Sequence, residues 1–122
     1  MTRLSILVGD GPRSANGALL ATMLGRWAAR TGVDVTVDVV SAASYPTARA
    51  DAEDAADGLV VDVELVAHEG RGAAPRIPTA YVDLSFDGSN GRAVDGRVVF
   101  GRGVDTYVWA ATHVAAWVRW PV

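Results

Sequence analysis

The sequence contains no cysteine and no lysine among its 122 residues, and only two histidines. Without cysteine there are no disulfides, no thiolate nucleophile and no thiolate-ligated zinc, and two histidines alone do not complete a usual zinc site. Without lysine, Schiff-base chemistry and a phosphate-loop lysine are both excluded. No apolar run approaches the ~20 residues of a membrane span, and the N-terminus lacks the three-part pattern of a secretion signal, so a cytoplasmic protein with no membrane partner is expected. Eleven arginines against 14 acidic residues leave a net charge of −3. That balance argues against wholesale capture of nucleic acid or anionic membrane by charge.

Half of the residues are apolar and 20% are charged, enough to bury a core, and the length suits one domain spanning 1–122. The order of periodicities gives its class. Leu4 to Val8 is a short apolar run stopped by Gly9-Asp10-Gly11-Pro12, a buried strand and turn. From Gly17 to Thr31, Leu20, Leu24 and Trp27 recur at helical spacing, and Gly32 is placed to end the helix. Val33, Val35, Val37 and Val39 alternate with Asp34, Thr36 and Asp38, which predicts a strand with one wet face at a sheet edge. Thr47 to Ala56 predicts a short exposed helix led by Pro46. Gly58 to Val63, Thr79 to Leu84 and Arg97 to Phe100 read as three further strands. Val104 to about Trp117 reads as a helix buried through Val104, Val108, Ala111, Ala115 and Val118. Strands alternating with helices imply right-handed crossovers, hence a three-layer, flavodoxin-like α/β domain with a five-stranded parallel sheet.

In such a sheet the site lies outside the carboxyl ends of the strands. Asp10, Arg13 and Ser14 follow the first strand, Asp62, Glu64 and His68 the third, Asp83 and Ser85 the fourth, and Arg102 the fifth. Asp62 and Asp83 end apolar strands, where an ionised group is costly unless paired, and they are the candidate proton-transfer groups. His68 is placed to donate to a ligand, or is a plain surface histidine. Gly101-Arg102-Gly103 stands where a phosphate-binding turn would, but lacks the third glycine of a dinucleotide fingerprint, and Asp10 and Pro12 spoil the first turn for a phosphate. No nicotinamide, flavin, metal or other cofactor is expected. Trp109, Trp117 and Trp120 are expected to pack against the sheet or another subunit.

Several segments resemble the type II 3-dehydroquinate dehydratases. Ile6 to Arg13 is similar to that family's apolar strand followed by Asn-Gly-Pro-Asn. Asp57 to Asp62 with Ala67-His68 resembles its third strand, ending in Asn and leading to Thr-His. Ile77 to Ser85 resembles Pro-x-x-Glu-Val-His-Leu-Ser, and Gly96 to Tyr107 resembles Gly-x-Ile-x-Gly-x-Gly-x-x-Gly-Tyr. The resemblance runs in order along nearly the whole chain and implies the family's fold and a trimer-based homo-oligomer, up to a dodecamer. It also implies departures. The lid carrying the family's Arg and base Tyr is missing, because Arg13-Ser14-Ala15-Asn16 leads directly into the first helix. The family's second Asn is Arg13, its third-strand Asn is Asp62, its acid His is Asp83, and the Glu supporting that His is Tyr81. His68 and Ser85 remain, with Arg92 standing in for the arginine that clamps substrate.

Loss of the base disfavours dehydroquinate dehydration itself. The expectation is a cofactor-independent lyase, isomerase or cyclase acting on a small cyclic or polyketide-like substrate of specialised metabolism. Asp62 and Asp83 would transfer protons, while Asp10, Arg13, Glu64, His68, Ser85, Arg92 and Arg102 would bind substrate. The alternative is a non-catalytic small-molecule binder or oligomeric scaffold on the same fold.

Overall fold

The computed structural model describes residues 1–11, 14–66, 75–84 and 104–120, together with the backbone of 97–100. Five strands form one sheet: β1 (Arg3–Gly9), β2 (Asp34–Val40), β3 (Gly58–Asp62), β4 (Thr79–Asp83) and β5 (Arg97–Phe100). All neighbours pair in parallel, in the order β2-β1-β3-β4-β5. That is the flavodoxin-like order, in which the direction of winding reverses between β1 and β3. The helices are α1 (Gly17–Thr31), α2 (Tyr45–Ala55), the single turn α3 (Val63–Val66) and α4 (Asp105–Arg119).

Strand alternation divides the core in two. Leu4, Ile6, Val8, Val60, Ala80 and Val82 face α1 and α4, while Leu7, Leu59, Val61 and Tyr81 face α2 and α3. The central strands β1 and β3 are covered on both sides and read as continuous apolar runs for that reason. β2 lies at the edge and keeps its Asp/Val alternation. No described helix is long and apolar enough to cross a membrane.

α1 is set by local chemistry at both ends. The Asn16 side chain accepts the Leu19 N–H at 3.1 Å, satisfying one of the donors a helix start leaves open. Gly32 takes φ 74° and its N–H bonds to the Ala28 carbonyl, a left-handed cap that glycine adopts without strain. Between them Leu20, Leu24 and Trp27 are buried as expected.

Three expectations need correction. The second helix starts at Tyr45 and is not merely exposed: Tyr45, Arg49 and Ala52 are buried at spacings of four and three residues. The buried stripe of α4 runs through Tyr107, Ala110, Ala111, Val114 and Ala115, and Val104, Val108 and Val118 flank it. Trp109 and Trp120 do not pack on this chain's own sheet; they are 72% and 69% exposed.

Beneath α2 a polar cluster is folded into the core. The buried Arg49 guanidinium donates to the Tyr45 hydroxyl at 2.9 Å and the Tyr81 hydroxyl at 3.1 Å. It lies 5.9 Å from the Tyr81 ring centre and 3.4 Å from the Glu53 carboxylate. Glu53 also accepts the Arg76 backbone N–H at 2.9 Å. A buried cation is tolerable when it meets a carboxylate and further acceptors in this way.

Candidate functional site

β1 and β3 are adjacent and parallel, so their carboxyl ends open together where the winding reverses. Ligands bind in that crevice in open α/β sheets. Asp62, the last residue of β3, occupies it with both carboxylate oxygens engaged. Oδ2 accepts the Gly9 N–H at 3.1 Å and the Ser14 hydroxyl at 2.9 Å. Oδ1 accepts the Glu64 N–H at 3.1 Å, a local turn of the kind Asp favours, which opens α3.

Ser14 binds a second acceptor as well, since its Oγ lies 3.3 Å from Glu64 Oε2. A serine hydroxyl carries one proton, so the two carboxylates compete for it, and the shorter contact favours Asp62. Glu64 is therefore the carboxylate with capacity left for another donor. The cluster requires glycine at position 9: a Cβ there would stand 2.6 Å from Ser14 Oγ and 3.0 Å from Asp62 Oδ2. The turn after β1 is held by the Ser14 N–H on the Gly11 carbonyl at 3.1 Å.

Tyr107, in the first turn of α4, supplies the opposite kind of group. Its side chain is fully buried and its hydroxyl has no hydrogen-bond partner among the described residues. Burial, then the charges of Asp62 and Glu64, push its pKa well above the usual phenol value. The phenol thus stays protonated, a donor held within electrostatic reach of two carboxylates. Leaving such a hydroxyl unpaired costs about 1–3 kcal/mol, and a ligand oxygen would recover that.

Asp83, the last residue of β4, is 2% exposed. In the register Asp62 stands beside Val82, so Asp62 follows the Val60 and Val82 side of the sheet while Asp83 follows Tyr81. The two carboxylates reach the same edge from opposite faces. The described residues bring Asp62 together with Glu64 through Ser14. Asp10 follows β1 as an exposed residue. Arg13, His68, Ser85, Arg92 and Arg102 lie outside the described residues. Among the described residues no group of three or more His, Cys, Asp or Glu is placed to hold a metal ion.

Sequence reasoning gave Ser14 no role and placed Tyr107 only within a motif. The signal for Ser14 was its position directly after the first strand. For Tyr107 it was a polar aromatic in the first turn of the last helix, at the edge where the strands end.

Fold and site together define an open, parallel, flavodoxin-like α/β protein with a carboxylate cluster at its switch point. Among solved structures, a type II dehydroquinase from Butyrivibrio crossotus DSM 2876 superposes with a TM-score of 0.70 at 12% identity, over 93% of this chain and 97% of that one. A 3-dehydroquinate dehydratase-like protein from Bifidobacterium longum gives 0.68 at 19% identity, over 95% and 97%. The chain thus has the type II dehydroquinase fold, and the resemblance of its motifs extends to the backbone. No family model and no curated protein matches it.

Proposed function

We propose that the chain, a single domain, is a cofactor-independent enzyme that moves protons on a small polar, cyclic or polyketide-like molecule, as a lyase, isomerase or cyclase. The observation that carries this reading is the Asp62–Ser14–Glu64 cluster at the β1/β3 switch point. Asp62, tied by three donors, fixes the geometry. Glu64, half-buried with spare acceptor capacity, takes a proton from substrate. Tyr107 donates to a substrate oxygen, and Asp83 acts from the other face of the edge. General acid–base groups of this kind contribute about 10²–10⁴-fold each.

The test is to incubate the protein in D₂O with cyclic keto acids, 3-dehydroquinate among them, and aromatic β-diketones, and to follow exchange or loss of C–H protons by NMR. Exchange above the buffer rate that drops about 10²-fold or more in Glu64→Gln and Asp83→Asn supports the reading. Saturable binding without exchange supports the non-catalytic binder instead, and full activity in both variants removes the proposed roles.

A further inference from the structure

Charge in this chain is sorted along the strand direction. Between parallel strands each crossover helix starts at the carboxyl edge and runs back to the amino edge. Arg3 opens β1, Arg97 opens β5, Arg26 and Arg30 fall in the second half of α1, Arg76 precedes β4 and Arg119 closes α4. These positions lie toward the amino edge, and Arg49 is buried against Glu53. At the carboxyl edge the described charged residues are Asp10, Asp62, Glu64, Asp83 and Asp105, all acidic. Arg13, Arg71, Arg92 and Arg102 lie outside the described residues.

Within that edge the crevice combines acceptors with one buried donor. Asp62 already meets three donors, from Gly9, Ser14 and Glu64. The Glu64 carboxylate stands over the turn after β1, where a Cβ on Gly11 would meet its Oε2 at 3.4 Å. It makes no ion pair among the described residues. Tyr107 packs with Val8, Val60 and Val82, on the side of the sheet that Asp62 follows. Its buried hydroxyl, unpartnered among the described residues, lies near enough to feel the charges of Asp62 and Glu64 and bonds to neither. The carboxylate asks for a donor and the phenol for an acceptor, and one ligand carrying both answers the pair.

Resting on the reading of this crevice as the substrate site, we infer that the part of the substrate seated here is an ammonium group beside an oxygen acceptor, as in a cyclic amino alcohol or amino ketone, and not a carboxylate. The ammonium donates to Glu64 and the neighbouring oxygen accepts from Tyr107. A hydrogen bond between charged partners is about twice as strong as a neutral one, whereas a ligand carboxylate at the same place would face like charges. Glu64 has two carboxylate oxygens, so one can hold the ammonium while the other receives a proton from an adjacent C–H.

Three probes on one ring test this: trans-2-aminocyclohexanol, trans-cyclohexane-1,2-diol and 2-hydroxycyclohexanecarboxylate, titrated at neutral pH into the ¹⁵N-labelled full chain and followed by NMR. The Gly9 and Glu64 amides, both bonded to Asp62, are the reporters. The amine is expected to shift them saturably and to bind about tenfold more tightly than the diol, with the acid weakest. Glu64→Gln should level amine and diol, and Tyr107→Phe should weaken both alike. An acid that binds as tightly as the amine would overturn the inference and hand the crevice to the arginines of the flanking segments. So would an amine preference that survives Glu64→Gln, affinities untouched by Tyr107→Phe, or no saturable shift from the amine. The amide spectrum of each variant checks that it is folded. Binding in the expected order without C–H exchange on any substrate would remove the proposed reaction and leave this inference standing, while exchange on keto acids with the order lost would do the reverse.

Discussion

Two polar clusters are buried in this small protein, and they differ in how their charges are matched. Beneath α2, a cation is surrounded by two phenols and a carboxylate. At the β1/β3 edge, two carboxylates share one serine proton, and a phenol nearby has no partner among the described residues. The first cluster is matched within the chain and serves the fold. The second is unmatched among the described residues, and the missing complement is what a ligand would bring.

That contrast can be broken by mutation. Arg49→Met should have the largest effect, a loss of about 3 kcal/mol, because the Tyr45 and Tyr81 hydroxyls and one oxygen of the buried Glu53 carboxylate lose their donor, while Arg76 holds only the other oxygen. Chemical denaturation measures it, and a loss below 1 kcal/mol would put the cluster at the surface in solution. Asp62→Asn comes next, at about 1–3 kcal/mol, since an amide offers a single oxygen where three donors now meet two. An unchanged denaturation midpoint would show that those donors find water instead.

Tyr107→Phe should go the other way, raising stability by about 1 kcal/mol because an unpaired buried hydroxyl is removed. It also has a pH signature. The folded phenol holds its proton above the value of about 10 at which the unfolded chain releases it. Wild-type stability should therefore be full below pH 10 and fall above it. The difference between wild type and Tyr107→Phe isolates this from Tyr45 and Tyr81, and parallel curves would contradict it. Gly25→Ala should give the smallest change, a gain of roughly 0.5–1 kcal/mol, because a mid-helix glycine is unfavourable and a Cβ there meets nothing within 4 Å. A loss of thermal stability would reveal a contact at that helix face.

The sheet was legible because each strand announced its surroundings: unbroken runs for β1 and β3, strict alternation for edge strand β2. α1 was legible because Leu20, Leu24, Trp27 and Gly32 agree on one helix. α2 was read as exposed because its buried face consists of Tyr45, Arg49 and Ala52, residues that periodicity scores as polar or small. At the site, Asp62 and Glu64 could be placed by their position after a strand. Their junction through Ser14 could not, because it depends on a turn bringing together residues about fifty apart. Asp62 and Asp83 were expected to act as a pair, and the register explains the difference: neighbouring strands end one residue out of step, which sends the two side chains to opposite faces.

The Gly9 amide has a further use. The β1–β3 register runs from Leu4 beside Gly58 to Leu7 beside Val61, and beyond it the Gly9 N–H is received by the Asp62 carboxylate. A side chain thus forms the last rung of a backbone ladder. Whatever draws Asp62 away unfastens β1 from β3 at that end, while Gly9 stays in register with Val40 of β2, so hydrogen exchange at this one amide reports occupancy of the crevice without any knowledge of what fills it.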